Sequence, residues 1–242
     1  MTSVDTVPAI ALNDIKFGWS PASLTLDIPS LTAQRGEHVF LHGPSGSGKT
    51  TLLGLLSGIL APKSGTVRVL GTDLARLSNH ARDSFRGAHL GYIFQMFNLV
   101  PYFGVMDNIL LACRMSELRT KRIGGHTAGK LEAAAQDLAK SLGIADLLSR
   151  PVVELSVGQQ QRVAAARALL GEPEIVIADE PTSALDTDHR QRFLELLFKV
   201  SEKSKSAVVF VSHDQSLKSM FHRVISLPEV NRATRPASGG TP

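Results

Sequence analysis

Apolar residues in this chain gather into short dense runs, and between the runs they recur at helical spacing. Runs at 10–12, 24–28, 38–41, 66–70, 91–94, 175–178 and 207–211 predict β-strands. The last three are dense enough in apolar residues for strands covered on both faces. Leu131, Ala134, Ala135, Leu138 and Leu142 fall at i, i+3, i+4, i+7 and i+11, one face of a helix. Phe193, Leu194, Leu196, Leu197 and Val200 predict another, opened by Asp186, Thr187 or Asp188. Strands alternating with helices predict an α/β fold with a mainly parallel sheet and helices on both faces. The early runs alternate less with helices and predict an antiparallel β edge subdomain. Residues 105–148 carry helical patterns and no strand, so a helical subdomain, about 96–165, is expected as an insertion in the α/β core. A loop is expected within it at 119–129. The folded domain is expected to span 1–228. The remaining 229–242, with its prolines, glycines and small polar residues, is expected to be disordered.

Composition narrows the class. Of the 242 residues, 43% are hydrophobic and 20% charged, ordinary for a globular protein. No apolar run approaches the ~20 residues that span a bilayer. The opening Met1-Thr2-Ser3-Val4-Asp5 is not a secretory signal, so a cytosolic location is expected. The single cysteine, Cys113, excludes an internal disulfide and a Cys-rich zinc site, and its apolar neighbours make it a core residue. The net charge of +4 permits contact with nucleic acid or an anionic membrane surface. Arg114, Arg119, Lys121, Arg122 and Lys130 cluster with only Glu117 opposing them. A solvated polar segment is the favoured reading of that cluster; a basic face toward lipid headgroups or a partner is the alternative.

The stretch Gly43-Pro44-Ser45-Gly46-Ser47-Gly48-Lys49-Thr50 fits G-x-x-x-x-G-K-[ST], the phosphate-binding P-loop. It stands between the run at 38–41 and a helical start from Thr51, the strand–loop–helix setting the motif requires. Gly43, Gly46 and Gly48 lack a Cβ, so the backbone can close around an anion with its N–H groups pointing inward. Lys49 supplies a point charge to the β- and γ-phosphates, and the Thr50 hydroxyl is placed to hold Mg²⁺. The expected ligand is a nucleoside triphosphate.

A second acidic element completes this chemistry. Residues 175–178 form an apolar run ending in Asp179 and Glu180, and ligands of such sheets bind beyond the carboxyl ends of the strands. Side chains alternate across a strand, so the two acids cannot do the same job. Asp179 fits a Mg²⁺ ligand, held directly or through water. Glu180 is then free to orient and deprotonate a water for attack on the γ-phosphorus.

Leu155-Ser156-Val157-Gly158-Gln159-Gln160-Gln161-Arg162 resembles the signature sequence of ATP-binding-cassette ATPases, usually Leu-Ser-Gly-Gly-Gln. Ser183-Ala184-Leu185-Asp186 resembles the family's D-loop, Gln95 its Q-loop glutamine and His213 its switch histidine. The motifs appear in the family's order across most of the chain. Their resemblance implies ATP contacts from Trp19, from Gly43, Pro44, Ser45, Gly46, Ser47, Gly48, Lys49, Thr50 and Thr51, and from Ser156, Gly158, Gln159 and Asp186. It implies Mg²⁺ held by Thr50, Gln95 and Asp179, and hydrolysis by Glu180 with His213 and Gln95. It also implies an ATP-sandwich homodimer, in which the helix start at Ser156 and Gly158 faces ATP held by the second copy's P-loop. Val157 stands where the family usually has glycine and must therefore be helical or extended. Trp19 stands where the family has an adenine-stacking tyrosine, with Phe17 as the other candidate.

With one set of motifs and no membrane span, the chain resembles the separate ATPase subunit of a transporter. Residues 91–101 are similar to the lipoprotein-release, macrolide-export and cell-division branch, which implies export or extraction of a lipophilic or peptide-like substrate. The expected partner is a transmembrane permease, docked near 96–108, where Phe97, Leu99, Tyr102 and Phe103 are unusually apolar for a loop. The expected place is the cytoplasmic face of the cell membrane. A signalling module of a cell-division-type complex that moves no substrate is the alternative. A nucleic-acid cassette is disfavoured, because Lys and Arg do not cluster with aromatics. A small-molecule kinase leaves 155–159 unexplained.

Overall fold

A computed structural model describes residues 7–20, 23–125, 127 and 129–234 of the chain. In chain order the elements are β1 (Ile10–Phe17), β2 (Leu26–Ala33), β3 (His38–His42), α1 (Lys49–Leu56), β4 (Ser64–Val69), β5 (Thr72–Asp73), α2 (Asn79–His89), β6 (Leu90–Ile93), α3 (Val105–Arg114), α4 (Glu117–Arg122), α5 (Lys130–Ser141), α6 (Val157–Leu169), β7 (Ile175–Asp179), α7 (Thr187–Lys203), β8 (Ala207–Val211), β9 (Arg223–Ser226) and α8 (Leu227–Val230). Two sheets result. One is parallel throughout, in the order β6-β7-β8-β3-β9, and the other is antiparallel, in the order β2-β1-β4-β5.

Alternation along the parallel strands divides the interior into two cores. Phe40, Val176, Ala178, Val208 and Phe210 point into one, shared with α3, α5, α6 and α7. Val39, Leu41, Ile175, Ile177, Val209 and Val211 point into the other, shared with α1 and the antiparallel sheet. Both faces are covered, which is why these strands read as continuous apolar runs. The strand ends align as well. Leu41 and Asp179 each pair with Val211, and Ile93 pairs with Ala178, so the loops after β3, β6, β7 and β8 leave one edge of the sheet.

Three expectations change. First, residues 119–122 of the expected loop belong to α4, capped by the Ser116 hydroxyl accepting from the Arg119 N–H. Second, the basic cluster there is solvated only in part: Arg114, Lys121 and Lys130 are exposed, while Arg119 and Arg122 turn inward. Arg119 is buried and donates to the carbonyl oxygens of Ala168, Leu170 and Leu90 at 3.0, 3.1 and 2.5 Å. Those at Ala168 and Leu170 lie at the α6 terminus, where carbonyls lack intrahelical partners. Arg122 reaches the carbonyl oxygens of Ala88 and Glu172 and the Glu174 carboxylate at 2.6 Å. Arg114 pairs with Asp107, and Lys121 with Glu117. Third, the tail expected to lack structure from 229 is ordered through 234. It completes α8 and one further turn, and it buries Asn231 fully. Residues 235–242 lie outside the described residues. Cys113 is a core residue, its thiol pushed up to about 11 by burial, with Arg119 opposing the shift.

Candidate nucleotide-binding site

Residues 43–48 leave the end of β3 and enter α1 without a side-chain cap. Gly48 is the N-cap residue at φ 100°, and Gly46 lies at φ 77°, both in the left-handed region. A Cβ at Gly48 would come within 2.7 Å of Leu26 Cδ2, so a side chain there would strain the backbone and force Leu26 to move. The first-turn N–H groups of α1 therefore point outward with no side chain in front of them, a ready site for an anion. Lys49 folds back along the loop, its Nζ donating to the carbonyl oxygens of Gly43 at 2.7 Å and Pro44 at 3.0 Å. Pro44, Ser45 and Thr50 are exposed, while Ser47 and Thr51 are buried.

Asparagine 231 braces this loop from beneath. Its Nδ2 donates to the carbonyl oxygens of Thr25 at 2.9 Å and Ser47 at 3.3 Å, and its Oδ1 accepts from the Asp27 N–H at 2.8 Å. Its Oδ1 also accepts from the nearby Ala233 N–H at 3.2 Å, but nothing in the local sequence marks the residue for the loop, because Thr25, Asp27 and Ser47 are remote along the chain.

The acidic end of β7 lies beside the loop. Burial, and then the neighbouring Glu180, push the Asp179 carboxyl above its ordinary range, while Lys49 pulls it back. Glu180 sits at φ 48° and donates its N–H to the Val211 carbonyl oxygen at 2.9 Å. Its carboxylate meets His213 Nδ1 at 2.8 Å. A carboxylate only accepts, so Nδ1 carries the proton and Nε2 is left to face solvent. Gln95 is exposed in the turn after β6, two residues past the Ile93–Ala178 pair. Lys49, Asp179, Glu180 and His213 thus converge at one edge of the sheet, with Gln95 on the adjoining turn.

The remaining candidates lie apart from that cluster. Ser156 caps α6, accepting from the Gln159 N–H at 3.4 Å, and the Gln159 side-chain oxygen accepts from the Ser156 N–H at 2.9 Å. Ser156 and Gln159 thus bond each other rather than the P-loop. Val157 is helical and 47% exposed. Asp186 caps α7 and accepts from the His189 N–H at 3.0 Å and from the His189 ring at 2.7 Å. These bonds, the backbone one first, hold its carboxyl below the ordinary range. Trp19 is 70% exposed, whereas Phe17 is buried and meets it edge-on at 5.3 Å, so of the two only the indole offers a free face.

A link between the two groups escaped the sequence reading. Phe97 and Asn98, both at positive φ, offer their carbonyl oxygens to Arg167 of α6 at 2.6 Å each. Asn108 is fully buried and binds Val100, Phe103 and Gly104, fixing the loop that follows. Gln161 of α6 donates to the Pro181 carbonyl oxygen at 2.9 Å.

Comparison with known proteins bears on the same features. The ABC transporter family profile matches residues 26–183. The lipoprotein-releasing system ATP-binding protein LolD of Novosphingobium aromaticivorans is 36% identical over 92% of this chain and 97% of its own length. The phosphonates import ATP-binding protein PhnC of Nocardia farcinica is 40% identical over 90% of this chain and 82% of its own. The bacitracin export ATP-binding protein BceA of Halalkalibacterium halodurans is 37% identical over 82% and 76%. The cassette MJ0796, solved as a post-hydrolysis dimer bound to ADP and Pi, superposes with a TM-score of 0.77 at 30% identity, over 90% of this chain and 93% of that one. Among the described residues no helix is long and apolar enough to cross a membrane. The P-loop at the end of β3, the acidic end of β7 and the capped start of α6 are accordingly parts of an ATPase cassette, and the chain belongs to the ABC transporter family.

Proposed function

We propose that this protein is the ATP-hydrolysing subunit of a membrane transporter, and that two copies close face to face on two ATP molecules. The observation that carries this reading is the start of α6. Ser156 and Val157 are exposed there, and the use of Ser156 within its own chain stops at the Gln159 capping box. A Cβ at Gly158 would meet nothing of its own chain nearer than Leu185 at 3.7 Å. The N-terminus of a 13-residue helix is thus left open to a phosphate brought by another molecule. ATP held on the P-loop of a second copy fits that description.

Within each site the residues divide the work. Trp19 stacks on the base. The backbone of 43–48 and the α1 N-terminus hold the phosphates, and Lys49 turns from its two carbonyl contacts toward them. Asp179, the Thr50 hydroxyl and the Gln95 amide oxygen would supply an all-oxygen donor set suited to Mg²⁺, with the Asp179 carboxyl raised by burial and by the neighbouring Glu180. Bound there, the ion would neutralise charge on the phosphate oxygens. Glu180 takes the proton of the attacking water, and His213, bonded to it through Nδ1, holds that carboxylate in place. Water cleaves the β–γ bond to give ADP and Pi, and departure of Pi removes the charge that joins the copies.

The permease docks beside Gln95. Tyr102 is 93% and Met96 80% exposed, and a cleft of about 260 Å³ runs between Tyr92, Phe94, Leu111 and Met115. Exposed apolar side chains held in a loop fixed by Asn108 suit a cytoplasmic segment of a membrane partner. Such docking places the protein on the cytoplasmic face of the membrane. Similarity to proteins named for lipoprotein release and bacitracin export supports outward movement or extraction of a lipophilic or peptide-like substrate.

Dimerisation is tested by light scattering on the Glu180→Gln protein with MgATP. A dimer is expected with ATP and a monomer without it. Ser156→Arg in the same background is expected to stay monomeric while still binding ATP. A Ser156→Arg protein that dimerises normally would refute the sandwich.

A further inference from the structure

Arginine 190 lies one turn into α7, past the Asp186 cap, and its guanidinium joins two loops that are far apart in sequence. Nε donates to the Leu185 carbonyl oxygen at 2.8 Å, and Nη1 donates to the Asp214 carboxylate. The other carboxylate oxygen of Asp214 accepts from the Ser216 N–H at 3.0 Å and the Ser216 hydroxyl at 2.7 Å. The Asp214 N–H in turn donates to the Ser212 hydroxyl at 3.1 Å. His213 is thus held on both flanks. On the other side, the turn after β7 is closed by Ser183 N–H to Glu180 O at 3.2 Å and Leu185 N–H to Thr182 O at 3.1 Å. With the Glu180–His213 bond, these contacts form a closed ring running through Glu180, Leu185, Arg190, Asp214 and His213.

We propose that Arg190 is a positioning residue for hydrolysis, holding the turn 183–186 against the His213 loop so that the Glu180–His213 pair keeps its alignment. The proposal rests on the roles given above to those two residues. Guanidinium suits the task because its N–H groups leave a rigid plane in fixed directions, so one side chain serves a carbonyl and a carboxylate together. A lysine's donors all leave one freely rotating atom, so it would not fix the two directions. The Ser216 hydroxyl first, with Arg190 adding to it, holds the Asp214 carboxyl below its usual range, so the link stays ionised. Both partners are about one-quarter exposed, which makes the contact a weak source of stability. Its main product is geometry. Glu180 needs such support, because φ 48° is sparsely populated for a residue with a side chain and persists only where the surroundings impose it. A displacement of 183–186 by a second copy would reach His213 through Arg190.

The test is steady-state kcat and KM for MgATP in Arg190→Gln, Arg190→Lys, Asp214→Asn and the double variant Arg190→Gln/Asp214→Asn, beside Glu180→Gln. Each single variant is expected to lose about tenfold in kcat with KM held within about twofold, since a small misplacement of reacting groups costs rate rather than binding. Lysine should not rescue. The double variant should be no slower than the worse single, because both break one link. Wild-type kcat in a folded Arg190→Gln protein, or single effects that multiply in the double, would overturn the proposal. If Arg190→Gln does not fold, Asp214→Asn breaks the link from its other end, and wild-type kcat there overturns it equally. Normal hydrolysis by Glu180→Gln would instead remove the proposed base. An inactive Glu180→Gln beside an unimpaired Arg190→Gln would remove Arg190 alone.

Discussion

The imidazole of His213 donates from Nδ1 to the carboxylate of Glu180 at 2.8 Å, joining the ends of β7 and β8. The ring is 71% exposed while the Glu180 side chain is 15% exposed, so the pair sets a wet imidazole on a sheltered carboxylate. The bond fixes the tautomer that turns Nε2 outward.

Glu180→Gln removes the proposed base and keeps its shape. ATP affinity is expected to stay within a few-fold, while phosphate release slows by about 10²–10⁴-fold, the usual share of a positioned base. A coupled phosphate-release assay measures this, and normal turnover would transfer the base role elsewhere.

Lys49→Ala removes a cation that already bonds two loop carbonyls. Charged hydrogen bonds contribute roughly 1.5–3 kcal/mol, so the Kd for MgATP is expected to rise about ten- to hundredfold. Titration calorimetry reads it directly; unchanged affinity would mean the loop binds phosphate through its backbone alone.

Asn231→Ala strips partners from Thr25 O, Asp27 N–H and Ser47 O in a fully buried place. Buried groups left unpaired cost roughly 1–3 kcal/mol, and the melting temperature is expected to fall accordingly. Because Ser47 belongs to the P-loop, the KM for ATP should rise too. Thermal denaturation with and without ATP separates the two effects.

His38 governs an acid limb. Burial, with His222 stacked beside it at 4.7 Å, lowers its pKa from 6.5 to about 4. The folded protein therefore resists protonation that the unfolded chain accepts. Stability is complete above pH 6.5 and declines as pH falls toward 4, by up to roughly 3 kcal/mol. Urea unfolding of wild type and His38→Phe across this window should give converging stabilities at low pH; parallel curves would assign the acid limb to other groups.

The runs at 38–41, 175–178 and 207–211 were legible because burial on both faces leaves no polar position to blur them. Elsewhere both ends of a run shifted by a residue or more: 91–94 became Leu90–Ile93, and 24–28 became Leu26–Ala33. Edge strand β9 was missed, since Arg223–Ser226 is short and only partly buried. The P-loop was legible because its chemistry is local. Its glycines, lysine and threonine lie within eight consecutive residues, and one strand–turn–helix sets their geometry.

Sequence by itself determined the central strands, the glycine-rich loop after β3 and the acidic strand end, because each depends on neighbours a few positions away. Only the tertiary structure decided which polar side chains hold it together. Arg119 meets carbonyls 29 to 51 residues away, and Asn231 meets Thr25 206 residues away. A lone Arg in a basic run and a lone Asn in a polar tail look solvated along the chain. They are buried because folding leaves backbone carbonyls without partners at helix and strand ends, and a buried carbonyl must be satisfied by whatever donor the fold brings near.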